Sequence, residues 1–193
     1  MIKGEGLKAM PINIPRMAVN NIHVTRVQKY LRRLTWMTII VVYSQQNSIT
    51  MNPKEYKDVV YKIIGSAMKV HDELGWGLLE PIYNEALHLE LLDQGIDNER
   101  EKHLPCFYKH HKLEKHYQMD LVVGDVIVEL KSVSELTSAH RAQLFNYLRL
   151  TKKPIGILIN FGQTYLQGER YLYCEDTNEC MLLNRDMEVI DEL

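Results

Sequence analysis

The sequence predicts an α/β protein with a mixed central sheet flanked by helices. Three stretches carry that prediction. Gln118–Val123 and Val126–Lys131 are apolar, β-branched runs on either side of Gly124-Asp125, the pattern of a tight hairpin. Ser138–Leu150 reads as a helix and Ile155–Asn160 as a strand buried on both faces. Strand, helix and strand then form a right-handed crossover that lays Ile155–Asn160 parallel to Val126–Lys131. Ahead of both, Asn52-Pro53-Lys54-Glu55 combines an N-cap, a first-turn proline and an early acid, and so opens an amphipathic helix.

Residues 1–50 pattern differently from the rest. They hold seven Lys/Arg against one acid, whereas residues 51–193 hold 16 basic and 24 acidic residues. Their apolar segment Leu34–Tyr43 has ten residues, too few for a membrane helix of ~20. It starts too late, and lacks the small-residue cleavage site, for a signal peptide. The expectation is an atypical, poorly ordered extension over 1–50 and one domain over 51–193, with Met51 as the functional initiator. The helix from Asn52 puts Val60, Ile63, Ile64, Ala67, Val70 and Leu74 on one stripe and stops at Gly75. A second helix starts at Glu80, with Pro81 in its first turn, and runs to about Gln94. Its expected core positions are Ile82, Ala86, Leu87, Leu89, Leu91 and Leu92. Leu104–Tyr108 alternates as a strand whose Pro105 keeps it at an edge or a bulge. Lys109–Lys112 is the turn and Leu113–Leu121 the returning strand. Thr137 or Ser138 caps the helix to Leu150, with Ala142, Phe145 and Leu148 inward. A short strand is expected at Arg170–Cys174.

Composition narrows the function. The 46% apolar and 25% charged content is that of a water-soluble globular chain. The acidic balance of residues 51–193 excludes a general nucleic-acid-coating surface, so a phosphate-directed site must be local and helped by metal. Cys106, Cys174 and Cys180 form no CxxC pair and point to reduced thiols in a cytoplasm. His103, His110, His111 and His116 have no ligand spacing. With Lys109, Lys112 and Lys115 they read as a solvated basic loop that touches phosphates.

The chemistry concentrates in the 118–131 hairpin. Counting outward from a two-residue turn pairs Val122 with Ile127, Leu121 with Val128, and Asp120 with Glu129. Opposed carboxylates repel, and burying them is costly without a partner. A divalent cation is the natural one. Lys131 projects from the Glu129 face because strand side chains alternate. Two carboxylates suit Mg²⁺ or Mn²⁺, and Lys131 would orient water or steady developing charge. Glu80 could add a ligand and Gln143 could orient one or contact phosphate. The competing reading is a structural ion triad in which Lys131 merely neutralises Glu129.

Several collinear blocks resemble the GxxExxY protein family within the PD-(D/E)XK nuclease superfamily. They are Gly77-Leu78-Leu79-Glu80-Pro81-Ile82-Tyr83, Asp120 followed by Glu129-Leu130-Lys131, Gln143–Leu148, and Gly156–Gly162. Met119 stands where the superfamily motif has Pro. The resemblance spans about Met51 to Arg170 and implies a restriction-endonuclease-like core. It implies Glu80, Asp120, Glu129 and Lys131 as active-site residues. With the reading of the residues above, Lys131, Glu80 and Gln143 are expected in catalysis and Asp120, Glu129 and Glu80 toward Mg²⁺ or Mn²⁺. Tyr83, Lys109 and Lys112 are expected to meet the substrate. The expected activity is metal-dependent hydrolysis of DNA phosphodiester bonds by a cytoplasmic enzyme, with nucleic acid as partner, no membrane, and a homodimer as an open assembly. The alternative is an inactive nuclease-fold module that binds nucleic acid or a protein.

Overall fold

The computed structural model describes residues 52–190. The expected extension over 1–50, its segment Leu34–Tyr43 and the initiator Met51 lie outside them. A six-stranded sheet forms in chain order: β1 (Glu99–Tyr108), β2 (His111–Val123), β3 (Val126–Lys131), β4 (Ile155–Asn160), β5 (Gln167–Cys174) and β6 (Glu179–Leu183). β3 and β4 are parallel and the other neighbours antiparallel, so the sheet is mixed as expected. Helices α1 (Lys57–Leu74) and α2 (Glu80–Asp93) cover one face, and α3 (Ser138–Thr151) covers the other. No helix among the described residues is long and apolar enough to cross a membrane.

The first helix starts as the sequence dictates. Asn52 Oδ1 accepts the Lys54 N–H, Pro53 opens a single 3₁₀ turn, and the α-helix follows from Lys57. Val60, Ile63, Ala67 and Val70 are buried, whereas Leu74 at the helix end is exposed. Gly75 ends α1 at φ +73°, a conformation that glycine adopts without strain. In α2 the buried positions are Tyr83, Asn84, Leu87 and Leu91, while Ile82, Leu89 and Leu92 are exposed. The expected inward face is therefore rotated. Pro81 and the chain's exit from the Gly75–Leu79 loop aim α2 so that Tyr83 stacks on Phe161, with ring centroids 4.4 Å apart. The 3.6-residue period carries that choice down the helix.

α3 carries a capping box in which Thr137 and His140 satisfy each other's backbone N–H groups. Leu144, Tyr147 and Leu148 face the sheet; Ala142, expected inside, is exposed and Phe145 half-buried. β1 is an outer strand whose register slips between Pro105 and Phe107, in line with the proline. The returning strand is one continuous element, β2, in place of separate segments. β5 starts three residues before the expected Arg170, and β6 is an element the sequence did not announce.

Candidate active site

The hairpin pairs Val123 with Val126, Val122 with Ile127 and Leu121 with Val128, as counted from its turn. The expected backbone pairing of Asp120 with Glu129 does not continue that ladder. The Asp120 carboxylate itself takes the next backbone donor, accepting the Leu130 N–H at 2.8 Å. Alternation also breaks here. Met119 and Val122 pack on the α3 side while Leu121 packs on the α1–α2 side. A strand that places residues 119 and 122 on one face has an irregular residue between them, and Asp120 stands at that break.

Glu129 is fully buried. Its Oε1 accepts Lys131 Nζ at 2.5 Å and its Oε2 has no partner. Lys131 Nζ also donates to the Leu130 carbonyl at 2.7 Å and stands 3.6 Å from Glu80 Oε2. The ammonium thus lies between a carboxylate oxygen and a backbone carbonyl. Parallel pairing seats Lys131 beside Asn160, whose Oδ1 accepts the Val133 and Gly162 N–H groups and whose Nδ2 donates to the Val133 carbonyl. That clamp fixes the chain as it leaves β3.

Burial pushes the Glu129 carboxyl up to about 8, aided by the Asp120 charge and opposed by Lys131. Burial raises Asp120 to about 6, with the Leu130 N–H and Lys131 pulling the other way. Burial draws the Lys131 ammonium down, but Glu129, Glu80 and Asp120 outweigh it and its pKa is raised. Lys131 therefore offers positive charge and hydrogen-bond donors.

The remaining expected residues divide. Glu80, the first residue of α2, is partly exposed and reaches the site through Lys131. Gln143 lies on α3, where its Nε2 donates to the Tyr147 hydroxyl, which donates onward to the Gln118 carbonyl. Tyr83, expected at the substrate, is instead fully buried, and its hydroxyl donates to the Gly75 carbonyl and accepts the Leu78 N–H. Its role is to hold the loop that aims Glu80. Lys109 and Lys112 sit at the β1–β2 turn, roughly 26 Å along β2 from Asp120 at the usual rise per residue.

One neighbour escaped the sequence reading. Asn84 is buried, its Nδ2 lies 3.5 Å from the Asp120 carbonyl, and its Oδ1 has no partner. It follows Glu80 by one helical turn, and that spacing was the available signal. Tyr147 is also raised, to about 12, by burial first and by the Glu129 and Asp120 charges. Its i+4 spacing from Gln143 was visible in the sequence.

The donor set fits a hard divalent cation. One carboxyl, Glu129, is fully buried and the other, Asp120, half-buried; burial raises the pKa of both, and one Glu129 oxygen lacks any partner. Oxygen-preferring ions that retain water satisfy such groups. Among the described residues no group of three or more His, Cys, Asp or Glu side chains is arranged to hold a metal ion. An ion here would rest on Asp120, Glu129 and solvent.

The family model of the PD-(D/E)XK nuclease superfamily matches residues 57–172. No curated protein and no solved structure matches the sequence.

Proposed function

The chain belongs to the PD-(D/E)XK nuclease superfamily, and from that premise we propose that it is a Mg²⁺- or Mn²⁺-dependent nuclease hydrolysing DNA phosphodiester bonds in the cytoplasm. Its Gly77–Tyr83 segment assigns it, in this reading, to the GxxExxY family. The observation that carries the proposal is the fully buried Glu129, with one oxygen unpartnered and Asp120 raising its pKa. A purely structural ion pair gives no reason for a second carboxylate half-buried beside it.

Asp120 and Glu129 would hold the ion. The chemistry a divalent ion supplies at such a site is polarisation of the phosphoryl oxygen and activation of water. In hydrolysis a water oxygen bonds to phosphorus, one P–O ester bond breaks, and the leaving oxygen gains a proton. Lys131 turns its charge toward the non-bridging oxygens, where negative charge gathers. Glu80 anchors that ammonium from the far side, and Gln143 steadies Tyr147 over the strand bearing Asp120.

One observation favours an inactive module instead: Lys131 already neutralises Glu129 at 2.5 Å. Cleavage separates the readings. Purified protein should degrade DNA with Mg²⁺ or Mn²⁺ and stop with chelator. Asp120→Ala and Lys131→Ala should each lower the rate by about 10²-fold or more. Undiminished cleavage by either variant would overturn the site. An Mn²⁺ calorimetric titration abolished by Glu129→Ala, without cleavage of DNA or RNA, would favour the inactive module.

A further inference from the structure

Beyond Met119 the sheet continues as a two-stranded ribbon whose base meets α3, with Leu104 against the core cluster on that side and Tyr117 against Tyr147, and whose outer part toward the turn nothing among the described residues covers. No side chain of β1 is buried, and every residue of β2 from His111 to Gln118 is exposed. A two-stranded ribbon is marginal in water by itself. This one also presents Phe107, Tyr108, Leu113 and Tyr117 to solvent. Its charge is opposite to that of its surroundings. Between Lys102 and Gln118 four lysines stand against one acid, Glu114, in a domain that is acidic as a whole. Four histidines add donors, with His103 and His116 stacked across the strands at 4.5 Å.

We propose that the β1–β2 ribbon is an arm that lies in a groove of double-helical DNA and delivers the duplex to the Asp120–Glu129 site. The proposal rests on the nuclease reading above and names the form of its substrate. Shape is the first argument. The major groove of a duplex, about 12 Å wide, admits a two-stranded β-ribbon. A single strand is instead gripped in a concave channel with stacking platforms, and this ribbon is an open projection. Charge is the second argument, because lysines along both strands can reach the phosphates flanking a groove. Continuity is the third, since β2 runs unbroken from the turn at Lys109-His110 to Asp120. A second copy of the chain would bring two basic ribbons together, which like charges oppose.

The test measures binding of a 30-base-pair duplex and of its single strand by fluorescence anisotropy, with Ca²⁺ replacing Mg²⁺. Wild-type protein should bind the duplex at least tenfold more tightly than the strand. Lys109→Ala/Lys112→Ala/Lys115→Ala should lose at least tenfold on the duplex. Its slope of log affinity against log salt should shrink by about three, near one per phosphate contact removed. Equal or tighter binding of the single strand, or an unchanged salt slope, overturns the proposal. So does sedimentation in which the variant loses a dimer while duplex affinity stands, which assigns the ribbon to a second copy. Circular dichroism shows whether the variant is folded. If it is not, the same comparison is made with Phe107→Ser/Tyr108→Ser. Binding in Ca²⁺ needs no cleavage, so duplex binding without any metal-dependent hydrolysis would refute the nuclease reading and the delivery to its site, and support only the seating of the ribbon in the groove.

Discussion

Asp120 and Glu129 make the folded protein bind protons that the unfolded chain releases. Their carboxyls move from ordinary values of 3.8 and 4.5 to about 6 and about 8. Stability from these protons is fully present below about pH 4 and is lost as pH rises through 6 and then 8. The thermal midpoint of metal-free protein should therefore fall between pH 5.5 and 8.5. Mg²⁺ or Mn²⁺ should raise it more at pH 8.5 than at pH 5.5, since the ion needs ionised carboxylates. Glu129→Gln should flatten both trends in scanning calorimetry; a wild-type profile already flat would contradict the burial argument. The identity of these acids was legible because the residues around them are apolar. Their mutual geometry was not, because counting registers assumes regular pairing. Asp120 replaces a ladder bond with its own side chain, and no periodicity encodes that exchange.

At the scale of elements, the exit from β4 depends on a residue without a side chain. A Cβ at Gly162 would fall inside the Val133 backbone, which the Asn160 amide pins from both sides. Neither partner can yield cheaply. Gly162→Ala should destabilise the fold by about 3 kcal/mol, the upper end of ordinary overpacking, and move the β3 exit beside Lys131. Urea denaturation measures the loss, and a change under about 0.5 kcal/mol would show that the contact relaxes. Elements with strong periodicity were read well, α1 from its stripe and β3–α3–β4 from its crossover. α2 was not, because its apolar residues surround the axis and packing of Tyr83 on Phe161 selects the face. β6 escaped notice because Glu179–Leu183 is a mostly half-exposed edge strand without clean alternation.

At the scale of the molecule, the fold carries its own counter-charge at the carboxylates. Lys131 supplies a positive charge between Glu129 and the Leu130 carbonyl, and the hydrophobic clusters on both faces are complete around it. Chelator at pH 7 should leave the far-ultraviolet circular dichroism unchanged; unfolding on chelation would make the metal structural. The sequence disclosed the number of layers and the basic tip, but not how far the tip stands from the carboxylates. That distance comes from fusing two expected strand segments into β2. The order of the strands bears on how the chain is made. Each strand's neighbour in the sheet is also its neighbour in sequence, so four of the five connections are short and cheap to close, and the β3–β4 link over residues 132–154 alone carries a helix. The sheet can grow from β1 to β6 as the polypeptide leaves the ribosome. β3, with Glu129 and Lys131, stays a sheet edge until α3 has emerged and β4 arrives to pair with it. The residues proposed for catalysis are thus positioned late, once β4 has paired with β3.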